Sequence, residues 1–243
     1  PLEGLRENVP EVHALTGARV VPRAGEILEN ATILLREGLI EAVGPDLPIP
    51  GEARVWDLSG MTVYPGFIDG FAPMGKPVTP PKVAQKPSWN PSVHAERNVL
   101  DTVMLGEDDL KKRRELGFTA AHLVPTSGVF RGKGALIQLT SPDDPGLIIQ
   151  RRASQILAFT TTSKDYPKSL MGCIALIRQT LLDARWYRHY RQVYEKNPHE
   201  VRPGENLTLT ALAPLFTRRR DPAFFVLNDE ADLSRAKSLA DEL

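Results

Sequence analysis

Apolar and polar positions change their pattern twice along this chain. Between residues 14 and 64, short apolar runs alternate with turn formers, which is the signature of strands rather than helices. Residues 18–21 run toward Gly25, residues 31–35 follow, and residues 39–43 end at Gly44. After a turn at Pro48, Pro50 and Gly51 come residues 54–58 and 62–64. Strands of this length and spacing predict a small antiparallel sheet or half of a sandwich.

The pattern then breaks. Six prolines fall between residues 73 and 91, with Lys76, Lys82 and Lys86 among them. Proline at that density blocks helix and ladder pairing, so the stretch predicts an extended surface excursion, pinned to the body by Trp89. From residue 108 the pattern becomes α/β. A short charged helix over 108–116 closes at Gly117, and residues 119–124 form an apolar strand. Residues 127–134 read as a glycine-rich loop, and 135–139, 147–149 and 156–159 as three further strands. Ile174, Ile177, Leu181, Trp186 and Tyr190 recur at helical spacing within an amphipathic helix over 170–194. A second helix spans 207–216, a buried strand 224–227, and Asn228 with Asp229 caps a last helix running to Leu243.

Strands alternating with helices predict βα units and a parallel sheet. The expected fold is α/β: a partial TIM-like (β/α) barrel preceded by a small β-sandwich-type sheet. The β-rich domain covers 1–64, and the incomplete barrel covers 65–243 with its proline-rich excursion at 73–91. A complete eightfold barrel needs about 250 residues by itself. Fewer follow the first sheet, so the expectation is half a barrel, with three to five of its strands.

Charge and composition narrow the partners. Thirty basic residues balance thirty acidic ones, and Arg218, Arg219 and Arg220 form the one dense basic run, read as a solvated helix end. Nothing points to nucleic acid. No apolar stretch approaches the ~20 residues that span a bilayer, so no membrane partner is expected, and residues 171–177 read as a core helix segment. A small-molecule substrate and self-association into a homo-oligomer remain as partner classes. The single cysteine, Cys173, allows neither an internal disulfide nor a cysteine metal cluster and reads as a small buried hydrophobe. The first residues lack a basic n-region and an apolar h-region, so no signal peptide is read here, and cytoplasmic and exported locations both stay open.

Residues 62–73, T-V-Y-P-G-F-I-D-G-F-A-P, carry the most information. They read as an apolar strand entering a tight turn and delivering Asp69 to the strand's C-terminal end. The stretch resembles the first barrel strand of amidohydrolases, V-x-P-G-x-I-D-x-H-x-H. Residues 38–44, G-L-I-E-A-V-G, are similar to that family's G-x-I-x-x-V-G strand pair. Residues 116–119, L-G-F-T, and 228–233, N-D-E-A-D-L, resemble two later motifs. Together they resemble the imidazolonepropionase-like branch of the amidohydrolase superfamily.

That resemblance implies hydrolysis of a carbon–nitrogen bond other than a peptide bond, often in a cyclic amide. It also implies one or two divalent metals, usually zinc, which lower the pKa of bound water toward ~7. Here Phe71 and Pro73 stand where the two histidines are expected, and Val226 stands where a later strand carries another. None of the three side chains can ligate, so the chain shows no metal ligands at the family's positions. The function implied is a hydrolase with a degenerate metal site; the alternative is a catalytically inactive binding or scaffold protein of that fold.

The remaining candidates stay two-sided. Asp69 either takes part in catalysis or caps its turn. His122 lies near the C-terminal end of a predicted barrel strand, where this architecture places chemistry, and reads either as catalytic or as a hydrogen-bonded core histidine. Arg131, among Gly128, Gly132 and Gly134, either clamps a substrate carboxylate or pairs within its own turn. His94 either reaches a barrel mouth from the proline-rich excursion or belongs to that excursion's surface, whereas His13, His189 and His199 read as surface residues. The glycine spacing matches neither a Walker loop nor a dinucleotide fingerprint.

Overall fold

The computed structural model describes residues 11–79, 88–197, 199–217 and 221–242. They divide into two compact units, with the boundary between Gly66 and Phe67.

The first unit is one five-stranded sheet. Its strands are β1 (Val12–Arg23), β2 (Glu26–Arg36), β3 (Leu39–Gly44), β4 (Arg54–Asp57) and β5 (Thr62–Val63). They lie in the order β3-β2-β1-β4, with β5 also on β1. Two hairpins join β1 to β2 and β2 to β3. In the second, Glu37 and Gly38 both have positive φ, as a two-residue turn compatible with strand twist requires. Ala18, Val20, Ala31 and Ile33 form the larger of its two small cores. The sheet departs from the antiparallel, sandwich-type expectation. β4 and β5 pair in parallel with β1, so the sheet is mixed, and the described residues form one layer rather than two facing sheets. His13 lies inside β1, where its Nδ1 accepts the Trp56 indole N–H at 3.2 Å.

The second unit opens with β6 (Phe67–Ala72), followed by the short pair β7 (Lys76–Pro77) and β8 (Val103–Met104). Then come α1 (Glu107–Glu115), β9 (Phe118–Leu123), β10 (Phe130–Gln138) and β11 (Ile148–Ala158). The last elements are α2 (Leu170–Lys196), α3 (Leu207–Leu212), β12 (Ala223–Val226) and α4 (Glu230–Glu242). The main sheet has the order β12-β11-β10-β9-β6. β6 is parallel to β9 and β11 to β12, while β10 is antiparallel to both of its neighbours. Four strands therefore run one way with a single reversed strand between them, in place of the expected all-parallel sheet. The links on either side of β10 carry no helix and are too short for a crossover, which takes a dozen or more residues, so β9, β10 and β11 must meander.

Four further expectations are corrected. The glycine-rich stretch is mostly β10 itself, since the strand begins at Phe130. The two short strands expected at 147–149 and 156–159 are one continuous strand, β11. β12 is an edge strand with Phe224 and Leu227 exposed, not a buried one. Trp89 is 70% exposed and stacks on Tyr166; the segment is anchored by Asn90, 2% exposed, whose Nδ2 donates to the Tyr166 carbonyl at 2.9 Å. The expected helix end at Arg218, Arg219 and Arg220 lies outside the described residues, as does Leu243.

The helices pack on one face of this sheet. Leu110 of α1 meets Ala121, Leu123, Ala135 and Ile137. Cys173, Leu176 and Ile177 of α2, with Leu239 of α4, cover Phe130 and Leu157. Cys173 donates to the Thr160 carbonyl, and burial pushes its thiol pKa up, so it behaves as core. No helix among the described residues is long and apolar enough to cross a membrane.

Candidate functional site

Alternation along β9 places Ala121 and Leu123 against α1 and turns His122 to the other face. There His122, 6% exposed, joins three strands. Its Nδ1 lies 3.1 Å from the Gly70 carbonyl of β6, and its Nε2 lies 2.7 Å from Ser154 Oγ of β11. A carbonyl can only accept, so in the neutral ring Nδ1 carries the proton and Nε2 accepts the Ser154 hydroxyl proton. The carbonyl is reached where the β6–β9 register shifts between Asp69 and Ala72. The serine is reached across β10, because the strand between them is glycine at that point. A Cβ on Gly134 would stand 2.5 Å from His122 Nε2 and 2.8 Å from Ser154 Oγ. The Phe224 ring of β12 closes the arrangement at 4.9 Å between centroids.

Asp69 is turned the other way. Its Oδ2 accepts from Arg113 Nε of α1 at 3.2 Å, and its Oδ1 accepts the Phe71 N–H at 3.1 Å. Both oxygens are thus engaged in holding β6 to α1 and shaping the strand end. Asp69 and His122 sit on neighbouring strands, but no hydrogen bond joins them.

The donors do not fit a metal. Phe71, Pro73 and Val226 bring no lone pair, both His122 ring nitrogens are hydrogen-bonded, and Asp69 is paired with a guanidinium. Among the described residues no three His, Cys, Asp or Glu side chains converge on a point that could hold an ion.

What the strand ends do enclose is a cavity of about 240 Å³. Pro73 and Met74, just past β6, form part of its wall, as do Val124 and Pro125, just past β9. Because β10 is reversed, its opening turn lies at this same end and adds Arg131. Among the described residues the Arg131 guanidinium makes only long hydrogen bonds, 3.4 Å from Nε to the Gly128 carbonyl and 3.4 Å from an Nη to Thr160 Oγ1. Burial lowers its pKa from the ordinary arginine value. His94 lies close by: its Cδ2 is 3.2 Å from where a Gly128 Cβ would stand. Its Nδ1 is buried with no partner among the described residues, and burial, then Arg97, lowers its pKa.

Of the sequence candidates, then, Arg131 is at the mouth, His94 is beside it, His122 is within the sheet, and Asp69 faces the helices. Ser154 and Arg97, a second arginine of the cavity, carry no local signal, and Gly134 signals only a loop. A serine and a glycine in polar-looking stretches gain meaning only when a strand 32 residues away comes alongside.

Comparison with known proteins supports the fold. No protein-family model matches the chain, and no curated protein matches it. An amidohydrolase from Thermotoga maritima MSB8 superposes with a TM-score of 0.76 at 22% identity, over 94% of this chain. A candidate prolidase from Bifidobacterium longum aligns over 26% of the chain and 17% of its own length, at 38% identity with a TM-score of 0.24, too slight a superposition to carry an argument. The chain therefore has the α/β fold seen in an amidohydrolase. It spans 61% of that protein's length.

Proposed function

We propose that the protein is a hydrolase of the amidohydrolase type, acting on carbon–nitrogen bonds outside peptides in a small molecule, with a degenerate metal site. The observation that carries this is the fold match over nearly the whole chain, combined with a cavity at the end where the co-directional strands β6 and β9 finish. Barrel enzymes place their chemistry at that end. Arg131 anchors an anionic group of the substrate there through its planar fork of donors. His122 and Ser154 do not line that cavity; the pair ties β9 to β11, with the ring held in one tautomer by the Gly70 carbonyl, and is not assigned a substrate proton. Asp69 positions β6 through Arg113 and takes no proton from substrate.

A second reading, a binding or scaffold protein without turnover, is favoured by the apolar side chains at 71, 73 and 226. One assay separates the two. The full-length protein, purified without chelator, is tested for bound zinc, iron and manganese and for opening of carboxylate-bearing cyclic amides. Hydrolysis that is lost in Arg131→Gln, chiefly through KM, supports the first reading. Absence of turnover with or without added metal, together with gain of turnover in a Phe71→His, Pro73→His double variant, establishes the second.

A further inference from the structure

Arg131 does not stand alone in its cavity. Arg97 lines the same space of about 240 Å³, and among the described residues no aspartate or glutamate lines it. Neither guanidinium has a carboxylate partner among the described residues. The acids nearest in sequence are already engaged: Glu96 accepts from Thr208 Oγ1 at 2.8 Å, and Asp101 pairs with Arg151. Residues 80–87 contain two lysines and no acid. Thr126 and Ser127 also line the cavity, and their hydroxyls and amides make no hydrogen bond within the described residues.

A guanidinium in a small, partly desolvated space has lost water that balanced its charge, and a bound counter-charge makes up that loss. Arginine donors pair best with the two oxygens of a planar or tetrahedral oxyanion. Other ion pairs of this unit are closed. Arg113 meets Asp69, Arg178 grips Glu242 through two hydrogen bonds, and Arg235 meets Asp232. Arg97 and Arg131 share one cavity and have no such carboxylate among the described residues.

We propose that Arg97 and Arg131 form an oxyanion site at the strand ends, which takes the carboxylate or phosphate group of a small ligand between the two guanidiniums, with the Thr126–Ser127 turn as additional donor. This rests on the proposed function for the ligand being a substrate, but the binding itself requires no turnover.

The test is a thermal-shift titration of the full-length protein with sodium phosphate and, separately, sodium succinate, against sodium chloride at matched ionic strength. At an anion concentration about tenfold above Kd, the midpoint is expected to rise by about 3 °C over the chloride control. Response to phosphate alone assigns a phosphate ester as ligand, and response to succinate alone assigns a carboxylate; both outcomes support the site. Arg97→Gln and Arg131→Gln are each expected to weaken binding about tenfold or more, and Arg97→Lys less, since lysine keeps the charge but not the fork. Arg97 makes no side-chain hydrogen bond within the described residues, so its variant keeps the test open should Arg131→Gln fold poorly. No anion-specific shift in the unaltered protein, or an undiminished shift in Arg97→Gln, overturns the proposal. Anion binding without hydrolysis sinks only the hydrolase reading, and hydrolysis without anion binding sinks only this one.

Discussion

The sheet before Gly66 and the unit after it are both built largely from strands, yet they spend their residues differently. The first unit leaves Leu39, Ile40, Met61 and Tyr64 more than half exposed, and its cores are small clusters of Ala, Val, Leu and Ile. Its glycines serve the backbone: Gly25 and Gly38 have positive φ and nothing within 4 Å of where a Cβ would be. The second unit buries Phe130, Leu110, Leu123 and Ile137 completely under helices. At Gly134 it uses glycine because a histidine and a serine need the space. The lesson is that turn geometry organises the first unit and long-range packing the second. The candidate chemistry lies in the second, where side chains from distant strands are forced together.

The sharpest way to break this contrast is to cut the packing. Phe130→Ala should cost about 4 kcal/mol in urea unfolding, and hydrogen exchange should place the loss in β9 to β11. An equal loss of protection in β1 to β3 would show that the units do not divide as described. Gly134→Ala comes next, at about 3 kcal/mol, because the new methyl overpacks the strand and separates His122 from Ser154. A cost near zero would mean the imidazole does not cross β10.

Smaller effects sharpen the picture. Ser154→Ala should cost about 1.5 kcal/mol by leaving His122 Nε2 without its donor, and a double-mutant cycle with His122→Phe should recover most of it as coupling. Gly25→Ala in the first unit should cost about 1 kcal/mol through backbone strain alone, leaving β9 to β11 untouched.

The least of these effects is a pH slope. Burial holds the His94 pKa below its ordinary 6.5, so the unfolded chain takes up the proton first. Stability is therefore intact above 6.5 and declines as pH falls from there toward the folded value, a decline His94→Gln should remove. Further down, Asp57 of the first unit and Asp144 of the second are both held below the usual 3.8, Asp57 by the Ser59 hydroxyl and amide and Asp144 by the Gly146 amide and the Thr140 hydroxyl. Their contribution is present above 3.8 and is lost in both units as pH falls through the depressed values. A first unit that weakens below pH 6.5 as steeply as the second would contradict the assignment to His94.

Much of this architecture could be read locally. The hairpins of the first sheet follow from period-two alternation and turn residues. The ends of α1 and α2 follow from Gly117, with positive φ, and from Ser169, whose hydroxyl accepts the Gly172 N–H. The strand β10 was hidden because Gly128, Gly132 and Gly134 look like a loop when their neighbours are unknown. Gly132 has φ +115°, and a Cβ there would stand 2.7 Å from the Arg97 carbonyl. The strand β11 looked like two because its first half is exposed and its second half buried. Trp89 looked like an anchor because it is large and apolar, whereas the anchor is Asn90, whose amide satisfies a carbonyl 76 residues away.

By itself, the order of amino acids determined the hairpins of the first sheet, the main helices, and that positions 71, 73 and 226 carry no metal-binding side chain. Alternation decides which residues share a face, and a side chain's chemistry is the same in any fold. Only the tertiary structure decided that β10 runs backwards, that His122 reaches Ser154 over Gly134, and that Arg97 and Arg131 line one cavity. Those outcomes depend on which strands become neighbours and in which direction, and that is set by burial and chain closure over dozens of residues.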